Sequence, residues 1–302
     1  MPCVTNYSDY LASWKTLKDR LPLYIGYSEV RCKFCNSKKI IKYGHFKSTR
    51  RWWCKDCHRK FADNDALPGM RTPINQIASA MHMYYDGMSF ESIRKRLEQD
   101  YDSCPSDSTI YGWIHRFTKK ALEETRNYNP KTGDVWMLHM TPSKIAGKKI
   151  WLLDIVDSGT QFLIASMPFS NDEAINIKSF LRIAAERVND IPLNILIEEF
   201  KDFDFGIETV YEIKGKRVRV EKLNKRGQNK AVEYWNIAAK DRERVLRGLK
   251  DSKHAQLILD GWSVHYNFFR SHEALHGRTP AKKAGIDAQI GLSKILPAIR
   301  YE

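Results

Sequence analysis

Between residues 73 and 125 the apolar side chains recur every three to four positions. Ile74, Ile77, Ala78, Met81 and Tyr85 follow Pro73 at helical spacing, and Gly87 closes that run. Ser89 supplies a capping hydroxyl for a second helix that turns Ile93 and Leu97 inward. After a connection through Pro105, Ile110, Trp113, Ile114, Phe117 and Ala121 define one face of a third helix and leave Ser108, Thr109, Tyr111, His115 and Arg116 on the other. This pattern predicts a helix-turn-helix DNA-binding domain over 71–126, although three short helices with a polar third one also occur in proteins that never meet DNA. Residues 127–133, with Pro130 and Gly133, read as a linker.

Beyond Gly133 the period changes. Residues 135–141, 150–156 and 161–167 are strand-like, with turns at Ala146-Gly147 and Ser158-Gly159, and three antiparallel strands fit best. Residues 171–188 return to helical spacing, and 193–197 form a short apolar run that ends at Glu198 and Glu199. Strands, a helix and a further strand predict an α/β domain over 134–290 with a mixed sheet and helices packed on it. The flanks are expected to be an N-terminal helical segment at 1–28 and a tail at 291–302.

With 302 residues, 42% of them hydrophobic, the chain suffices for a main domain and one or two small ones. Fifty Lys and Arg against 36 Asp and Glu leave a formal charge of +14, and this charge is segregated. Residues 31–60 hold eleven basic residues against Asp56 alone, and 214–230 hold eight against Glu221 alone, while 131–213 sum to −5. Basic blocks are often no more than solvated surface. Two of them around an acidic middle point instead to a protein that grips a phosphate backbone. No stretch has the ~20 apolar residues of a membrane helix, and the first twenty residues lack the order of a secretory signal, so a cytoplasmic, nucleoid-associated protein without membrane contact is expected.

Four cysteines form Cys32-x2-Cys35 and Cys54-x2-Cys57, with 18 residues between the pairs. This spacing predicts a zinc ribbon over 29–65 with one structural zinc per chain, in preference to disulfides. Arg50 and Arg51 beside Trp52 and Trp53 suit stacking on bases or contact with phosphates. One of the two tryptophans is equally suited to the core of so small a unit, so only one is expected to be exposed.

The last hundred residues carry a resemblance. Asn229-Lys-Ala-Val-Glu233, the run 240–249, Tyr266-Asn-Phe-Phe-Arg270, His272, Leu275-His-Gly277 and Thr279-Pro-Ala281, together with Trp151-Leu-Leu-Asp154 and Phe162-Leu-Ile-Ala165, resemble prokaryotic insertion-sequence transposases of the D-D-E type, over roughly residues 31–286. The resemblance implies a zinc ribbon and a helix-turn-helix joined to an RNase H-like, integrase-type core. It also implies an Asp, Asp, Glu triad that holds two magnesium ions for nicking and strand transfer. By this resemblance the family's glutamate is Glu233, on a helix face that continues through Ile237, Lys240, Arg244 and Arg247, the last three expected to touch DNA. Its two aspartates fall on His139 and Glu198.

Those substitutions change the chemistry. Two-metal phosphoryl transfer needs oxygens that hold the ions ~3.5–4 Å apart. An imidazole offers one nitrogen and no charge, which suits zinc or copper better than magnesium. His139 therefore reads either as a strand histidine with a satisfied hydrogen bond or as a displaced metal ligand. The sequence thus predicts a transposase-derived protein that binds double-stranded DNA, with terminal inverted repeats as the candidate site, as a homo-oligomer, with catalysis impaired and magnesium present only if the site still works. The alternatives are an active insertion-sequence transposase, a zinc-ribbon regulator, and a decayed product with no role.

Overall fold

The computed structural model describes residues 30–145, 147–169, 177–188, 190–197, 210–222, 230–247 and 254–286. The expected helical segment 1–28, the tail 291–302, and both Glu198 and Glu199 lie outside the described residues. The chain forms two compact units that meet in sequence at Arg71 and Thr72.

In the first unit, β1 (Ile40–Phe46), β2 (Thr49–Cys54) and β3 (Lys60–Ala62) make an antiparallel sheet in that order. Each cysteine pair sits on a tight turn. Asn36 and His58 adopt the left-handed conformation, and backbone bonds from Cys32 to Ser37 and from Cys54 to Arg59 close the turns. Phe61 joins Cys32 and Cys54 in a small core, with Phe34, Ile40 and Trp52 packed on it.

The second unit begins with α1 (Ile74–Tyr85), α2 (Phe90–Tyr101) and α3 (Asp107–Thr125). Ser89 accepts from Ser92 N and Ser106 from Thr109 N, so the α2 and α3 starts are capped by hydroxyls. Every apolar position read from the helical period of α3 is buried.

A six-stranded sheet follows, built from β4 (Val135–Ile145), β5 (Lys148–Asp157), β6 (Leu163–Phe169), β7 (Asn194–Ile197), β8 (Val210–Ile213) and β9 (Lys216–Lys222) in the order β6-β5-β4-β7-β9-β8. The first three strands are antiparallel, and β7 runs parallel to both β4 and β9. This is a mixed sheet with β8 as an antiparallel edge. The β8–β9 hairpin was not expected. It turns at Lys214 and Gly215, both at positive φ, and buries Tyr211, Ile213 and Val218, so part of the second basic block is strand. Helices α4 (Ile177–Val188), α5 (Lys230–Arg247), α6 (Ala255–Val264) and α7 (Pro280–Lys283) complete the unit, and a π turn at His265–Phe269 follows α6.

The expected seam between 71–126 and 134–290 is absent. Ala121 of α3 belongs to the core of the sheet domain, and Thr118 and Thr125 are buried. Gly261 of α6 lies so close to α1 and α3 that a Cβ there would stand 2.0 Å from Tyr85 Oη and 2.6 Å from Thr118 Cγ2. The segment 127–133 is tied to the core, since Lys131 N donates to Ala284 O and Gly133 N to Asp157 Oδ1. Both helical and sheet parts therefore fold as one unit, because the C-terminal half of α3 has its apolar partners in the sheet domain.

Candidate metal centre and DNA-facing surfaces

The sulfurs of Cys32, Cys35, Cys54 and Cys57 all lie within 4.8 Å of one another, with Cys32–Cys57 at 3.5 Å and Cys35–Cys54 at 3.6 Å. Four cysteines so placed can hold a metal ion. Burial pushes the Cys32 thiol up to about 12. At Cys54 burial acts the same way, but the backbone N–H groups of Cys57 and Asp56 outweigh it and bring the thiol down to about 7. A cation among the sulfurs compensates the cost of holding buried thiolates.

The two tryptophans of β2 part company. Trp52 packs inward on the cysteine core, with Arg50 over its ring at 5.8 Å. Trp53 lies on the opposite sheet face, where its ring stacks beside Tyr43 at 5.9 Å.

On α3 the predicted polar face is only partly open. Ser108, Thr109 and Arg116 are exposed, whereas Tyr111 and His115 are half-buried. Their rings meet His254, at 6.2 and 5.2 Å. Partial burial, with Lys119 and His254 nearby, lowers the pKa of His115. Helix α6, which starts at this histidine, packs along α3 and turns two of the five residues into contacts within the protein.

Of the positions matched to the triad, His139 and Glu233 are described and Glu198 lies outside the described residues. Helix α5 buries Val232, Trp235, Ala238, Ala239, Arg242, Val245 and Leu246 on one face. Glu233, Ile237, Lys240 and Arg244 are exposed along the other; the side chain of Arg247 lies outside the described residues. Arg244 is paired with Asp241 and packs over Gly87. His139, 2% exposed, sits on β4 opposite Asp154 and stacks on the Trp235 ring at 5.9 Å. Glu233 and Trp235, two positions apart on a helix, point about 200° apart, so the ring that covers His139 directs the carboxylate away from it. Pairing of β7 with β4 is described as far as Ile197 opposite Leu138, one residue before Glu198.

Sequence reasoning missed what fills the space beside His139. Asp154 and Arg242 are fully buried and joined by two bonds of 2.7 Å, Nη1 to Oδ1 and Nη2 to Oδ2. Ser166 Oγ donates to the same carboxylate at 2.6 Å. The guanidinium lies 5.5 Å from the Trp235 ring centroid and 5.2 Å from that of Trp262. Nothing in the local pattern pairs residues 88 apart; a charged residue on the apolar stripe of α5 was the available signal. Among the described residues, the cysteine cluster is the one group of three or more His, Cys, Asp or Glu side chains near enough to share an ion. Taken by themselves, a buried imidazole, an outward carboxylate and an acid already neutralised by arginine are a poor donor set for a pair of magnesium ions; Glu198 and Glu199 lie outside the described residues.

Residues 133–272 match the family model of a DDE domain, DDE_Tnp_IS240, which spans slightly less than half of the chain. Over that segment the chain is similar to DDE domains. Among solved structures, the chain is similar to the simian T-cell lymphotropic virus intasome in complex with PP2A regulatory subunit B56 gamma, at 11% identity over 70% of this chain and 76% of that one, with a TM-score of 0.39. It is also similar to the HTLV-2 integrase catalytic core domain in complex with magnesium (dimeric form), at 16% identity over 51% of this chain and 97% of that one, with a TM-score of 0.34. No curated protein matches the sequence. The matched segment includes the Tyr266-Asn-Phe-Phe-Arg270 motif, whose residues have structural work. Asn267 exchanges two hydrogen bonds with the backbone of Leu163 at the edge strand β6, Tyr266 packs on Trp235 and Trp262, and Arg270 bonds to Asp241.

Proposed function

We propose that this protein is a DNA-binding descendant of a DDE transposase whose nicking and strand-transfer chemistry is impaired. The observation that carries this reading is the environment of His139, buried against Trp235 beside an aspartate claimed by Arg242, with Glu233 facing outward. Two-metal catalysis acts through a clamp on the attacking and leaving oxygens, and a misplacement near 1 Å costs about 100-fold in rate. Here the first ligand position is an imidazole, with no carboxylate oxygens to share between two ions. Magnesium would have a role only if the catalytic site still works.

Binding falls to the other parts. We assign one zinc to Cys32, Cys35, Cys54 and Cys57, because a closed set of four sulfurs suits a structural zinc. Duplex DNA, in the form of terminal inverted repeats, is assigned to the open end of α3 at Ser108, Thr109 and Arg116, with phosphate contacts from Arg50, Arg51, Lys240, Arg244 and Arg247. A homo-oligomer is proposed to assemble on that DNA. No helix among the described residues is long and apolar enough to cross a membrane.

The test incubates the full chain with end-labelled duplex bearing the inverted repeats, with magnesium or manganese, beside a Glu233→Gln control. Retarded but uncut DNA is expected, with affinity falling steeply as salt rises. Metal-dependent nicking by the wild type that disappears in Glu233→Gln would instead establish a working transposase. Binding indifferent to salt would remove the DNA reading altogether.

A further inference from the structure

The face of the ribbon sheet opposite the cysteine core carries a row of aromatic rings and cations with no core beneath them. Trp53 is central, Ile41 stands across from it on β1, and Tyr43 lies diagonally beside it with an interplanar angle of 29°. Tyr43 and Phe46 are 46% and 59% exposed. Regular alternation would send Phe46 to the other face from Tyr43. The pairing slips between Lys42 and His45, where Gly44 adopts φ +92°, and this bulge carries Phe46 over to the Trp53 side. Arg51, two residues from Trp53 on β2, accordingly lies over the Phe46 ring at 5.2 Å. Lys60 of β3 reaches over the platform, its Nζ 4.0 Å from the Tyr43 ring centroid and 5.7 Å from that of Trp53.

A hydrophobic face built to meet another protein would be flanked by mixed charges. This one lies in a segment with eleven basic residues, and its sole acid, Asp56, is already bonded to Ser37 and Lys39. Flat rings edged by cations suit flat ligands with a phosphate between them. Duplex DNA hides its base faces within the stack, so only unpaired bases can use rings of this kind.

We propose that the Tyr43–Trp53–Phe46 face binds single-stranded DNA, with bases stacked on the rings and Lys60 and Arg51 drawn to the phosphates. This goes beyond the duplex reading of α3 and rests on it only in that DNA is the protein's ligand. In the free protein Lys60 covers part of the platform; it moves aside to a phosphate when a base takes its place.

The experiment measures fluorescence anisotropy of the metal-loaded full chain with labelled oligothymidylate and with a labelled duplex of equal length. Loss of one stacking ring should weaken single-strand binding roughly 5- to 150-fold, so Trp53→Ala and Tyr43→Ala should fall in that range while duplex affinity changes less than about twofold. Trp53→Phe should retain most of the affinity. Arg116→Ala should do the reverse, weakening the duplex and sparing the single strand. Metal content equal to wild type shows that each ribbon variant is folded. Unchanged single-strand affinity in folded Trp53→Ala, or equal loss on both ligands, would overturn the proposal. Trp53-dependent single-strand binding in a protein that ignores duplex would uphold it and remove the α3 assignment instead.

Discussion

Cutting one partner from the Asp154–Arg242 pair should be among the most damaging single changes in the chain. Both side chains are fully buried, and the carboxylate uses both oxygens on the guanidinium and one on Ser166. Arg242→Met leaves a buried carboxylate with one hydroxyl partner, and breaking such a pair costs about 3–5 kcal/mol. For a unit as large as Thr72–Ile299 that corresponds to a fall in Tm on the order of 10 °C. Asp154→Leu strands the guanidinium, which keeps the Trp235 and Trp262 rings, so its cost should lie toward the lower end of that range. The double variant Asp154→Leu/Arg242→Met removes both charges together and should lie within about 2 kcal/mol of wild type, giving a coupling energy of several kcal/mol. Urea unfolding followed by tryptophan fluorescence reads all four proteins, because Trp235 and Trp262 border the pair. Single variants costing under about 1 kcal/mol, or costs that simply add, would refute the reasoning. The pair also bears on repair of the active site. An aspartate at 139 would stand across from Asp154 and compete for Arg242, so His139→Asp should not by itself create a magnesium site.

Three further outcomes follow from the geometry. Gly261→Ala should cost about 1–3 kcal/mol in urea unfolding, because its Cβ would collide with Tyr85 and Thr118; a neutral or stabilising effect would show that the helices part freely. Cys35→Ser should abolish metal retention, measured by elemental analysis, and melt the ribbon while the near-ultraviolet circular dichroism of the larger unit persists. Acid should destabilise the larger unit. Burial, with His265 nearby, brings His82 down to about 3, and burial with Arg270 brings His272 down to about 4, so both stay neutral when folded but take up protons when unfolded below the usual histidine value of 6.5. Stability is then full above pH 6.5 and falls by about 1.4 kcal/mol per pH unit for each histidine as pH drops toward 4; His82→Gln should reduce that slope by about half.

Periodic segments were legible in the sequence, and contacts between distant segments were not. Ile110, Trp113, Ile114, Phe117 and Ala121 announced α3 because they report one buried face, and short apolar runs between turns announced β4 to β6, where Trp136–Met140 and Leu152–Asp157 are buried without a break. The β8–β9 hairpin was readable in principle from Lys214-Gly215 between alternating residues, but the density of charge there argued for a solvated block. Telling which of Trp52 and Trp53 packs on the cysteines required knowing which sheet face they occupy, and a one-residue bulge at Gly44 decides what joins Trp53 on the other. The contact of His254 with Tyr111 and His115, like the pairing of Asp154 with Arg242, arises from helix packing across long stretches of chain and leaves no local trace.

Helix α3 is held in common by the two halves of the larger unit, and on the proposed assignment of DNA to its surface end this constrains how a DNA preference could change. At 1.5 Å per residue its 19 residues make a rod about 28 Å long, with the surface end at Ser108 and the far end among core side chains such as Ala121. A foreign helical module spliced in at 127–133 would have to bring its own equivalents of Thr118, Ala121 and Thr125 and a counterpart of Tyr85 to fit Gly261. Exchange of whole modules at that boundary is therefore closed to this lineage. Substitution within the first two to three turns, residues 107–116, remains open, so new specificities would arise there one side chain at a time.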